Sequence, residues 1–127
     1  VFYMSRYIIS QSQLFDLVEN FMSEQMAGGE VRKRDTDDYG NTRWDLYSKS
    51  GKFLMYYIHY GPKHMNGKVV ENESGYLSLQ HSLVTLFMRN LRFRQSKVLD
   101  LLADWFTKTF DVDIDSVDIH MKYKYDI

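Results

Sequence analysis

A chain of 127 residues with 44% apolar and 26% charged residues has the makeup of a globular domain, not of a disordered segment. Its formal net charge of −1 gives no global pull towards nucleic acid, and the lack of cysteine excludes disulfides, thiolate nucleophiles and cysteine-based zinc or iron–sulfur sites. Aromatic residues reach 16%, with ten tyrosines; tyrosine packs its ring while its hydroxyl still needs a partner, and interfaces favour it.

The opening residues, VFYMSRYIIS, lack the basic start and long apolar core of a signal peptide. Met4 is a candidate start of translation, with Val1 to Tyr3 ahead of it. No apolar run approaches the roughly 20 residues needed to span a bilayer. No membrane partner is therefore expected, and the expected location is cytoplasmic.

Tyr7 to Ile9 reads as a short strand or a lead-in, with Ser10 and Ser12 as helix caps. Leu14, Phe15, Leu17, Val18, Phe21, Met22 and Met26 recur at helical spacing, so the first helix is expected from Gln13 to Met26. Gly28 and Gly29 stop it. Residues 30–42 are charged and turn-rich; Glu30 to Arg34 suits a short edge strand, because edges tolerate charge.

Thr42 to Tyr47 alternates, with Trp44 and Leu46 on one face and Arg43, Asp45 and Tyr47 on the other. Ser50 and Gly51 turn the chain, and Phe53 to Tyr60 returns, which makes the clearest hairpin of the sequence. Phe53, Met55, Tyr57 and His59 share one face of the return strand; Leu54, Tyr56, Ile58 and Tyr60 share the other. Neither face is plainly polar, so this strand belongs in the middle of a sheet, and both faces need a covering.

Gly61-Pro62 breaks the strand, Asn66-Gly67 is a turn, and Lys68 to Glu71 is expected as a third strand. Asn72 to Gly75 reads as another turn. Leu77 to Phe93 is expected as a single helix with Leu79, Leu83, Leu86, Phe87, Asn90 and Leu91 on a stripe broad enough to make it the central helix. Ser96 is expected to cap a third helix to about Phe110, burying Val98, Leu99, Leu101, Leu102, Trp105, Phe106 and Phe110. Asp100 and Asp104 near its start and Lys108 near its end suit the helix dipole. Val117 to Tyr125 alternates as a half-exposed last strand. The expected fold is a single α+β domain over residues 1–127, with an antiparallel sheet of three to four strands and three helices mainly on one face.

The ladder Asp111, Asp113, Asp115 and Asp118 resembles the start of a calcium loop, but Ser116 stands where glycine is needed and Lys122 where a bidentate glutamate is needed. His59, His64, His81 and His120 form no close ligand pair. Asp35, Asp37, Asp38 and Glu71, or Asp45 with Lys49, are the only groupings for a metal-dependent phosphodiesterase, the weakest alternative. No G-x-S-x-G elbow holds a serine, and Gly28-Gly29 precedes no Lys-Ser pair. No catalytic residue, metal or cofactor is assigned, and the chain is expected not to be an enzyme.

Arg89, Arg92, Arg94 and Lys97 form the sharpest basic patch. Arg32, Lys33 and Arg34 form a second cluster, and Lys49, Lys52, Lys63 and Lys68 a third. Convergent clusters beside Tyr47, Tyr56 or Tyr60 would suit a nucleic-acid-binding accessory protein. A helix-turn-helix around residues 92–96 is disfavoured by Asp100 and Asp104. The contrast between the basic patch and the acidic stretch Asp100 to Asp118 instead suits association between copies. The preferred expectation is a protein-binding or self-assembling domain whose interface uses Trp44, Tyr47, Tyr56 and Tyr60.

Overall fold

The computed structural model describes residues 11–120. The possible strand at Tyr7 to Ile9, the cap at Ser10 and the last strand beyond His120 lie outside the described residues. Within them the order is α1 (Gln11–Met26), β1 (Glu30–Lys33), β2 (Thr42–Tyr47), β3 (Phe53–Tyr60), β4 (Lys63–Met65), β5 (Lys68–Glu71), β6 (Ser74–Gln80), α2 (His81–Leu91), α3 (Gln95–Phe110) and β7 (Ser116–His120).

The main sheet has five strands in the order β1-β2-β3-β6-β7, and it is mixed: β7 runs parallel to β6, and the other pairs are antiparallel. This corrects the expectation of three to four antiparallel strands. The difference comes from Ser74 to Gln80. Its leucines at positions 77 and 79 satisfy a helical stripe and a strand alternation equally well in isolation. In the fold they sit opposite Tyr57 and Met55 of β3, and both are fully buried. The helix therefore starts at His81, where the Gln80 side chain accepts a hydrogen bond from the His81 backbone N–H. The turn expected over Asn72 to Gly75 is correspondingly shorter, because Ser74 and Gly75 already belong to β6.

Lys68 to Glu71 does form a strand, but it pairs with β4 in a separate two-stranded ribbon. Asn66 and Gly67, at φ 54° and 77°, make its turn with both central residues left-handed, the geometry that matches strand twist.

Register divides the sheet into two faces. Trp44, Leu46, Met55, Tyr57, Leu77, Leu79, Val117 and Ile119 fall on one, since paired residues point the same way. The helices pack there. Leu14, Val18 and Met22 of α1, Leu83, Val84 and Phe87 of α2, and Val98, Leu101, Leu102, Trp105 and Phe106 of α3 are buried with those strand residues. Phe21 meets Phe87 at 4.4 Å between ring centroids, and Phe106 meets Tyr57 at 5.2 Å. α3 packs against both α1 and α2, so it takes the central place expected of the preceding helix.

Three local expectations also change. Ser12 lies inside α1, so it is not its N-cap. Arg94 is the N-cap of α3 and makes no side-chain capping bond, which leaves Ser96 inside the first turn. That turn holds no acid, because Asp100 lies one turn further along, whereas Lys108 does stand in the last turn.

Candidate functional site

The second face of the sheet carries no helix among the described residues. Three rows cross it, read from the register: Arg32, Asp45, Tyr56, Ser78 and Asp118; then Arg43, Ile58, Tyr76 and Ser116; then Glu30, Tyr47, Gln80 and His120. A β-bulge between β2 and β3 adds one residue on β3, where Leu46 pairs with Met55 but Tyr47 pairs with Phe53. The alternation slips there. Leu54 consequently joins the core cluster, and the Phe53 ring stands on the open side, 5.8 Å from Tyr47 and His120 and 6.2 Å from Tyr56. Tyr56 in turn meets Tyr76 at 6.1 Å and His120 at 5.9 Å, mostly edge to face. All five rings are half-exposed.

Arginines lie flat on this platform. The Arg43 guanidinium carbon is 3.8 Å from the Tyr56 ring centroid, and that of Arg32 is 4.3 Å from Tyr47. Arg43 Nε donates to Asp45 Oδ1 at 2.6 Å and Arg34 Nε to Asp45 Oδ2 at 2.9 Å. These side chains cover the carboxylate so well that Asp45 is only 3% exposed despite its place on the open face. Arg32 also pairs with Glu30. Burial raises the pKa of the Tyr76 phenol, with Tyr56 and Asp118 adding to it and a hydrogen bond with Ser78 opposing it. Among the described residues of this face, Arg32, Arg34 and Arg43 are matched by Glu30, Asp45 and Asp118.

The expected interface residues separate. Tyr47, Tyr56 and, by alternation, Tyr60 belong to the open face, whereas Trp44 lies on the helix side, 5.8 Å from Tyr57. The basic patch lies in the helical layer: Arg89 in the last turn of α2, Arg92 as its left-handed C-cap, Arg94 as the N-cap of α3 and Lys97 within it. None of the four is in an ion pair among the described residues. The remaining basic clusters do not converge. Lys49 packs on Gly28, Lys63 pairs with Glu71 at 3.2 Å, and Lys33 turns to the helix side.

The aspartates 111–118 are taken up in joining α3 to β7. Asp111 is the left-handed C-cap of α3. The Asp113 backbone carbonyl accepts from the Tyr57 hydroxyl at 3.0 Å. Asp115 accepts from the Gly75 N–H at 2.7 Å through its carboxylate and donates its own N–H to the Gly75 carbonyl at 2.8 Å. A Cβ on Gly75 would lie 2.1 Å from the Asp113 carbonyl oxygen, so this crossing of backbones requires glycine. Asp37 likewise organises its own loop. Its carboxylate accepts from the N–H groups of Asn41 and Tyr39, which lowers its pKa, the Asn41 bond most. No group of three histidines or carboxylates suited to a metal ion occurs among the described residues.

Arg43, Phe53 and Tyr76 belong to this face without having been expected there, and Asp45 and His120, weighed in the sequence only as metal-site candidates, join them. The alternation of Arg43, Asp45 and Tyr47 against Trp44 and Leu46 was a usable signal for Arg43 and Asp45. Phe53 depends on the bulge, and Tyr76 and His120 on strand neighbours distant in sequence. No described helix is long and apolar enough to cross a membrane. Compared with protein-family models, curated proteins and solved structures, the chain matches none.

Proposed function

We propose that this chain is a non-enzymatic binding domain whose open sheet face docks a protein, a second copy of the chain in the first instance. The observation that carries the reading is the platform of Tyr47, Phe53, Tyr56, Tyr76 and His120 with Arg32 and Arg43 already laid across two of its rings. Tyrosine and arginine dominate the energetics of protein interfaces, and side chains held in place before contact lose less entropy on binding. Among the described residues, three arginines and three carboxylates share this face, which lets opposite charges meet across a two-fold axis.

The second reading is single-stranded nucleic acid, favoured by the same half-exposed rings beside arginines on a sheet. It is the weaker one, because the described carboxylates offset the charge that a phosphate backbone would seek, and Arg89, Arg92, Arg94 and Lys97, in no ion pair among the described residues, lie in the opposite layer.

Light scattering at low and high salt tests the proposal. Twice the 15.2 kDa chain mass, persisting in salt and lost in Tyr56→Ala/Tyr76→Ala, is the expected result. A monomer with raised nucleic-acid absorbance that salt removes would replace this reading with the second. A monomer without it would overturn self-assembly and leave a different protein as the partner.

A further inference from the structure

A separate cavity of about 230 Å³ lies between the helix-side face of the sheet and the carboxyl end of α3, lined by Val31, Trp44, Leu46, Tyr57, Phe106, Phe110 and Val112. Four of these are aromatic, and the one polar group that Tyr57 brings, its hydroxyl, is already bonded to the Asp113 carbonyl. Such a wall offers an organic ring apolar contact and, apart from the Trp44 indole N–H, nothing that water would hold to. Apolar cavities of about 150 Å³ take up benzene. At the β1 edge Val31 is 45% exposed, which opens the cavity to solvent. Lys33, two residues on and on the same side of the strand, holds its ammonium 5.9 Å from the Trp44 ring centroid and has no ion pair among the described residues. Beyond Tyr57 and Val112 the neighbouring cleft is lined by Glu73, Asp113 and Asp115, which repel an anion. A ligand with a carboxylate would therefore place it at the β1 end.

We infer that this cavity is a binding site for a small aromatic carboxylic acid, whose ring stacks among Trp44, Tyr57, Phe106 and Phe110 and whose carboxylate meets Lys33 at the mouth. The site is independent of the open face, since the sheet lies between them.

The probes are 3-phenylpropionate and its neutral counterpart 3-phenylpropanol, titrated into the intact chain and followed by the methyl resonances of Val31 and Val112 and by tryptophan fluorescence. Both are expected to saturate, with the acid about fivefold tighter, as a partly exposed ion pair gives. Lys33→Met should remove that advantage and leave the alcohol unchanged. Val112→Trp, which fills the cavity, should abolish both, with circular dichroism checking that it folds; if it does not, the wild-type methyl shifts decide. Absence of saturation, methyl shifts centred on Ile58 of the open face instead of Val31 and Val112, or equal affinity for acid and alcohol would overturn the inference.

Discussion

The two faces of β3 are built from the same kind of residue and meet opposite fates. Met55 and Tyr57 point to the helices and are at most 4% exposed. Tyr56 and Ile58, their immediate neighbours, point to the open side and stay half-exposed. One face gains its stability from burial, about 25 cal/mol per Å² of apolar surface removed from water. The other holds its rings in place through edge-to-face contacts, stacked arginines and a carboxylate hidden beneath them. Bulk on both faces of a strand thus does not imply burial on both; here a half-exposed aromatic face is held in place by its own internal contacts.

That contrast can be broken most severely at the buried face. Phe87→Ala should cost about 3–5 kcal/mol in urea unfolding, whereas Tyr56→Ala should cost about 1 kcal/mol or less while weakening the association that we propose and that light scattering would read. Comparable losses at both positions would mean that the open face is core and not interface.

Gly75→Ala is the next largest effect. Its Cβ would press on the Asp113 carbonyl and the Tyr57 hydroxyl, and the strain should cost about 1–3 kcal/mol. A melting temperature equal to wild type would show that the β6–β7 crossing is looser than described.

Asp45→Asn should cost about 1–2 kcal/mol, reduced by the exposure of Arg34. A double-mutant cycle with Arg43→Ala measures the coupling and should find it favourable. Zero coupling would leave Arg43 lying on Tyr56 for the ring alone.

The smallest effect is at Tyr57. Burial first, then Asp113, Asp115 and Glu73, raises its phenol above the ordinary 10.0. The neutral form is thus favoured in the folded state. Its contribution is complete below pH 10.0 and is lost as pH rises through the higher folded value. Tyr57→Phe should lose about 1 kcal/mol at neutral pH by removing the bond to Asp113 and should flatten the decline in stability above pH 10.0, measured by urea melts across that range.

Much of this was legible in the chain itself. The β2–β3 hairpin runs over the residues that alternation assigns to it, from Thr42 to Tyr47 and Phe53 to Tyr60. The first and third helices start within two residues of their expected positions. Charge marked β1 as an edge, and the structure places it there. The open face was only partly visible: Tyr47, Tyr56 and Tyr60 stood out as surplus rings, and Trp44 stood with them although alternation already puts it on the other side of β2 from Tyr47, the side that the helices take.

What the amino-acid order determined by itself is local: period 3.6 in α1 and α3, period 2 in β2 and β3, and glycine or asparagine where a turn needs a positive φ. What only the tertiary structure decided is everything that depends on distant neighbours. Leu77 to Gln80 extends as a strand because β3 and β7 offer it hydrogen-bonding partners on both sides, more than a helical turn would gain at that place. The parallel pairing of β7 and the meeting of Tyr56, Tyr76 and His120 follow from the same cause, since they join residues far apart in the chain; the bulge that turns Phe53 outward is local to the hairpin, but it breaks the period of 2 and so leaves no mark in the alternation.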